Sequence, residues 1–211
     1  WPTGKPHVSF SELTDWIECP FRHSLKHIKK LGTFSTTPHI GLGQGVHDAN
    51  ENYLKTRVMD ESHAINIIET HWRENEEAFT KGPFPSWASA GFGVLDDWIK
   101  KARTILADVP AAIDKEFPGW EIHEAEALLY ESMGAHPIKF KGFVDAVIRV
   151  PPKRGARPIC WVIDWKTCGW GWPMEKQRNF NVQLQLVLYK NFWSQKHNID
   201  PKDVRCAFGL L

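Results

Sequence analysis

Hydrophobic positions follow one rhythm in the first half of the chain and another in the second. Up to about residue 118 they recur at intervals of three and four, the spacing of amphipathic helices. Ser9-Phe10-Ser11-Glu12 opens the first helix, with Ser9 placed to cap it and Glu12 three residues later, as in a capping box. Leu13, Trp16, Ile17, Leu25 and Ile28 carry its apolar positions, and Pro20 predicts a kink or a split. Residues 1–8 read as a loose lead-in and residues 31–40 as a Thr/Ser/Pro loop. A second helix is expected from about Val46 to Val58, entered through the turn-like Gly41-Leu42-Gly43-Gln44-Gly45. Residues 61–79 and 91–108 read as two further helices, separated by the turn-rich segment Lys81 to Ser86.

From Glu121 the pattern becomes that of strands. Glu121 to Glu131, Ile138 to Val150 and Ile159 to Lys166 read as three strands. Ala135-His136-Pro137 and the Pro/Gly/basic loop Pro151 to Pro158 connect them. Gln177 to Lys196 reads as a helix with Val182, Leu186, Tyr189 and Trp193 near one face, and Val204 to Leu211 as a last strand. A strand, a helix of this length and another strand predict a right-handed crossover to a parallel neighbour. The expectation is one α/β domain over residues 1–211: a mainly helical part, 9–118, and a β-β-β-α-β core, 119–211.

Composition narrows the field only a little. The 42% of hydrophobic residues can build a core, and a net charge of +1 does not announce a nucleic-acid partner, although a local basic patch can still bind phosphate. No apolar run approaches the roughly 18 residues of a membrane span, so no membrane association is expected. The start, Trp1-Pro2-Thr3-Gly4, has neither an apolar leader core nor a Met and reads as processed or trimmed. Cysteines at 19, 160, 168 and 206 form no C-x-x-C pair, which suggests free thiols in a reducing, cytoplasmic setting. The eleven tryptophans read first as packing residues and second as base-stacking ones.

The candidate chemistry lies in Trp161 to Thr167, WVIDWKT. Asp164 and Lys166 are two apart in a strand, so they project from the same face. Asp145, in GFVDAV, sits on the preceding strand-like run. Asp145 and Asp164 are suited to Mg²⁺ or Mn²⁺, hard ions that take few carboxylates and leave room for a substrate phosphate. Lys166 would then oppose the charge developing on phosphorus. Taken alone, D-x-K reads first as a surface ion pair. His47 shares a helix face with Glu51 at i+4 and could supply a third ligand. Gln185 and Tyr189 are again i and i+4, placed to bind phosphate, to orient Lys166 or simply to bond each other.

In order along the chain, SFSELTDWIECPFRHSLKHI, GLGQGVHDANENYL, Glu126, GFVDAV, VIDWKT and QLVLY resemble the RecB-like branch of the PD-(D/E)XK nuclease superfamily. The resemblance implies a restriction-endonuclease-like core, a mixed sheet flanked by helices, and DNA cleavage. It implies that His47, Asp145, Asp164 and the Trp165 backbone carbonyl bind the metal, and that Lys166 is the catalytic lysine. Gln185 and Tyr189 match the helix motif that supports the site and the DNA, and Glu126 matches an acidic position on the first strand. Some relatives hold a [4Fe–4S] cluster with one N-terminal and three C-terminal cysteines. Cys19 matches the first, but only Cys168 and Cys206 lie near the other end, so no cluster is expected.

The basic run Arg22, Lys26, Lys29 and Lys30 can track a phosphate backbone or stand as a solvated helix face. A second basic site is the loop Lys153 to Arg157. Trp170 and Trp172, on the Gly-containing loop after Lys166, can stack unpaired bases or cover the sheet edge. The expected activity is therefore that of an exonuclease on DNA ends or single strands. An endonuclease, an RNA-directed phosphodiesterase and a DNA-binding module with little turnover stand as alternatives. No helicase motif is visible, so a helicase or recombination factor would be a separate partner.

Overall fold

Ser9 accepts a hydrogen bond from the Glu12 N–H at 3.2 Å, so the first helix begins where its capping residues place it. The computed structural model describes residues 6–31, 36–81, 94–152, 158–168 and 171–211. In chain order the elements are β1 (His7–Ser9), α1 (Phe10–Glu18), α2 (Pro20–His23), a π-helical turn (Ser24–Ile28), α3 (Pro38–Thr56), α4 (Glu61–Lys81) and α5 (Leu95–Glu116). There follow β2 (Glu121–Ser132), β3 (Lys139–Val150), β4 (Ile159–Lys166), α6 (Met174–Arg178), α7 (Phe180–His197), a 3₁₀ turn (Pro201–Asp203) and β5 (Val204–Leu210). The result is a five-stranded mixed sheet with flanking helices and a helical N-terminal half, an α/β fold of the restriction-endonuclease type.

The chain forms two compact units. The first contains Trp1–Phe34, Trp120–Asp164 and Trp170–Gly209; the second contains Ser35–Gly119, Trp165–Gly169 and Leu210–Leu211.

In the first unit β3 is the central strand. β2 pairs with it antiparallel along one edge. The other edge is divided: β1 runs parallel to its beginning, His7 opposite Lys139, and β4 runs antiparallel to its end, Ile163 opposite Ala146. The expected loose lead-in thus contains a strand. Three residues are too few to show an alternation, and this one exists because β3 offers it an edge. α7 covers the sheet with Tyr189 and Trp193, which bury against Leu129, Phe140, Val144, Val147 and Val162. Phe140 also stacks on Phe192 at 4.4 Å. The expected helix 177–196 is two helices. Asn179 breaks it and caps α7, its side chain accepting from the Asn181 N–H at 2.8 Å.

Pro20 does split the first helix. α1 ends at Glu18, Cys19 is extended, and Pro20 starts α2 at a position where its missing N–H costs nothing. Asp15 ties the pieces together, accepting from Lys26 and His27, each at 2.7 Å, and pairing with Arg22 at 3.0 Å.

The second unit is a helical bundle. α3 begins at Pro38, so the glycine-rich segment lies inside the helix and not in a turn before it. A Cβ on Gly41 would come within 2.6 Å of the His71 ring, and one on Gly45 within 2.7 Å of the Ala64 carbonyl. These glycines let α3 approach α4, and that contact outweighs their poor helix propensity. α5 runs eight residues past the expected end at 108, straight through Pro110. Its buried stripe of Trp98, Ala102, Leu106, Val109 and Ile113 continues on both sides of the proline, so packing offsets a break that costs about 3 kcal/mol in an isolated helix.

Candidate metal and catalytic site

β4 delivers Asp164 to the interior of the first unit. Its buried run Val162-Ile163-Asp164-Trp165 ends at Lys166, and Asp164 is only 2% exposed. The β3–β4 ladder pairs Val147 with Val162 and Ala146 with Ile163. Asp145 and Asp164 are the next residues beyond the last pair of that ladder. On the other side of β3, the pairs Ala125–Ala146 and Ala127–Val144 bracket Glu126 and Asp145. Glu126, Asp145 and Asp164 therefore form a row across three adjacent strands. The carboxylates of Glu126 and Asp145 offer oxygens within 4.8 Å of each other.

The row coincides with an irregularity in the sheet. Val144 and Val147 both bury in the cluster under α7, although residues three apart on a regular strand face opposite ways. Glu126, between the Ala125–Ala146 and Ala127–Val144 pairs, has a φ of 50°, in the left-handed region a non-glycine residue seldom occupies. A non-glycine residue held there costs about 1–3 kcal/mol, and such strain concentrates at functional sites.

α7 supplies the supporting groups. Gln185 donates from Nε2 to Asp164 Oδ1 at 2.8 Å and to the Tyr189 hydroxyl at 3.2 Å. Burial pushes the Tyr189 hydroxyl up to about 12, with the charges of Asp164, Asp145 and Glu126 adding to the rise against the Gln185 hydrogen bond. The phenol thus stays protonated at any physiological pH. Gly142 makes room for that ring, since a Cβ there would meet Tyr189 Cε1 at 2.9 Å. Beside Gln185 and Tyr189 lies a cleft of about 360 Å³, lined also by Ser9, Ser11, Lys141 and Phe143. Gly142, Asn179 and this cleft are contributions that pattern reading missed. The glycine was visible in GFVDAV, but only the fold shows which ring it accommodates.

In the second unit His47 sits in mid-α3, two residues beyond the buried Gly45, not at a helix start. Its Nε2 donates to the Trp165 carbonyl at 3.1 Å. Gly43, on the same helix, has Thr167 Oγ1 3.7 Å from where its Cβ would be, so α3 runs close to Trp165 and Thr167. The Leu211 N–H donates to the Lys166 carbonyl at 2.9 Å and the Leu211 carbonyl accepts from Cys168 at 2.7 Å. That straddling pattern marks a parallel pair and agrees with the crossover expected from sequence. Lys166 shares the Asp164 face of β4 by alternation. Glu51 pairs with Lys55 one turn on, at the surface of α3.

The remaining candidates are dispersed. Arg22 and Lys26 spend their charge on Asp15, and Arg22 on Glu18 as well, while Lys29 and Lys30 are exposed. The Trp172 ring lies against Phe208 at 4.9 Å, with the Lys176 ammonium 4.3 Å from its centroid. Trp170 and the loop 153–157 lie outside the described residues. All four cysteines are free thiols. Among the described residues no helix is long and apolar enough to cross a membrane.

The donors gathered in the first unit are carboxylate oxygens, a kind that fits a hard divalent ion. Comparison with curated proteins finds no match. The family model of the PD-(D/E)XK nuclease superfamily matches residues 7–208, nearly the whole chain and every element from β1 to β5. Asp164-Trp165-Lys166 has the D-X-K spacing noted in the sequence. On this match the chain belongs to the PD-(D/E)XK nuclease superfamily, a family of metal-dependent phosphodiester hydrolases.

Proposed function

We propose that this chain is a Mg²⁺- or Mn²⁺-dependent deoxyribonuclease of the RecB-like branch, acting as an exonuclease on DNA ends or single strands. The observation that carries this reading is the buried Asp164 held by Gln185, on the strand next to that of Asp145, with Lys166 two residues further along β4. The family match runs through both compact units, which supports treating residues 1–211 as one nuclease domain.

His47, Asp145, Asp164 and the Trp165 carbonyl would hold the metal. Two observations support that set. His47 and the Trp165 carbonyl already lie 3.1 Å apart, and Trp165 is joined by one peptide bond to Asp164, so both ligand pairs attach to one stretch of β4. When bound, the ion polarises a phosphoryl oxygen and lowers the pKa of a coordinated water. Lys166 opposes the negative charge that develops on the phosphate and helps hold the attacking water. Gln185 fixes the rotamer of Asp164, and the protonated Tyr189 hydroxyl anchors Gln185 in turn. Glu126 adds a second acidic group beside Asp145.

The cleft next to Gln185 supports the preference for unpaired DNA. It combines the Ser9 and Ser11 hydroxyls and Lys141 with the half-exposed Phe143 ring, a mixture suited to a phosphate and a stacked base. A helicase or recombination partner would supply such ends from duplex DNA. The test uses DNA labelled at either end, linear and circular, single- and double-stranded, with RNA of the same sequence beside it. Linear single strands should shorten progressively with Mg²⁺ or Mn²⁺, and Asp164→Ala, Lys166→Ala or EDTA should stop the reaction. Undiminished cutting by both variants in EDTA would refute the assignment; equal cutting of circles would make the enzyme an endonuclease.

A further inference from the structure

A second metal-ligating cluster stands in the first unit, separate from the row of carboxylates. β2 contains a bulge: Ile122 pairs with Ile148 and Glu124 with Val147, so His123 and Glu124 together oppose a single residue. Neighbours on a regular strand point to opposite faces, but a bulge re-aims one of them. Here both turn toward the last turns of α7. The His123 ring lies edge-on to Trp193 and His197, at 5.3 and 5.4 Å. Glu124 Oε2 accepts from Trp193 Nε1 at 2.7 Å and from His197 Nε2 at 2.8 Å. His123, Glu124 and His197 each present a ligand atom, and the three lie within 4.8 Å of one another.

We propose that His123, Glu124 and His197 form a site for Zn²⁺ or a similar transition metal that clips the β2 bulge to the end of α7. Two imidazoles and a carboxylate are a three-ligand set for Zn²⁺, Co²⁺ or Ni²⁺, unlike the oxygen-rich sets preferred by Mg²⁺. All three ligands are partly exposed, which leaves a position for water. The shell behind them is already built. Trp193, fully buried, donates to Glu124 and fixes its orientation, the outer-shell role that tunes metal sites. The C-terminal end of an 18-residue helix also favours a cation. The ion takes the place of the proton between His197 and Glu124, which leaves to solvent.

Lys196 is the natural competitor. It donates to Glu124 Oε1 at 3.0 Å, on the oxygen that the histidine does not use. An ion pair with both partners part-exposed contributes little, so the ammonium yields its place to a ligated metal.

The test is titration of the EDTA-stripped full chain with Zn²⁺ and Co²⁺, in the wild type and in an Asp164→Ala background that disables the nuclease centre. Both should bind Zn²⁺ at this site, unfold at higher temperature with the metal, and show the visible Co²⁺ spectrum of a low-coordinate imidazole site. His197→Ala and His123→Asn should each weaken that binding at least about tenfold, the lower bound typical even for an outer-shell partner. Lys196→Ala should tighten it several-fold, an effect a purely structural lysine would not give. His123→Asn keeps the test valid if the helix variant folds poorly. No rise in unfolding temperature with Zn²⁺, or equal binding by the wild type and both histidine variants, would overturn the proposal.

Discussion

Gln185 holds Asp164 by a single 2.8 Å hydrogen bond, and the same amide nitrogen reaches the Tyr189 hydroxyl at 3.2 Å. The Asp164 carboxylate is thus oriented by a residue 21 positions further along the chain, on α7, not by its own strand. Gln185→Ala should leave the fold intact and lower cleavage about 10–100-fold, the usual cost of losing an outer-shell partner. The loss should appear as a higher Mn²⁺ concentration at half-maximal rate. An unchanged metal midpoint would mean that Gln185 serves the DNA instead.

The glycines of α3 should respond in opposite directions. Gly45→Ala places a methyl 2.7 Å from the Ala64 carbonyl and should destabilise the protein by about 1–3 kcal/mol, the range for overpacking. Gly43→Ala meets only Thr167 Oγ1 at 3.7 Å and should stabilise it by roughly 0.5–1 kcal/mol through helix propensity. Urea midpoints of the two variants decide the matter. Equal effects would show that the α3–α4 approach is not what selects these residues.

Glu126 holds a φ of 50° beside Asp145. Glu126→Gly removes the strain, so the folded state should gain about 1 kcal/mol while cleavage falls. Calorimetry and a turnover assay on the same preparation test this exchange. A variant that is both less stable and fully active would contradict it.

The Asp15 junction sets a pH dependence. Burial pushes this carboxyl up, but hydrogen bonds from Lys26 and His27 and the charges of Lys26 and Arg22 outweigh it and hold it at about 2. Its folded value is below its unfolded one, so the stability it adds is complete above pH ~4 and is lost as pH falls through about 2. Asp15→Asn should cost about 1–2 kcal/mol at pH 7. The gap between wild type and variant should close between pH 4 and pH 2 in denaturant titrations. A gap independent of pH would assign the cost to packing.

How far the sequence reveals this molecule depends on whether the signal is local. Strands β2, β3 and β4 and the order of the α/β core follow from side-chain alternation, and the Pro20 split follows from a missing N–H. The glycines of α3 mislead, because one that admits a neighbouring helix looks the same in sequence as one that makes a turn. Asn179 is hidden for a related reason, since an apolar stripe on either side of a break resembles one continuous helix. The metal-binding roles proposed for Asp145 and Asp164 rest on a family resemblance. Their proximity depends on the β3–β4 pairing, and the burial of both Val144 and Val147 depends on the whole sheet. The bulge at His123 gives no local cue, because no glycine marks it.

β1 is only three residues long, but it lies at the head of a relay. It pairs Val8 with Phe140 and Ser9 with Lys141, next to the glycine that accommodates Tyr189, and Tyr189 in turn braces Gln185 against Asp164. A protease nick or a bulky tag at Pro6 would fray that pairing first. The protein would remain folded around its core and would present, in an assay, as an enzyme with a damaged active site.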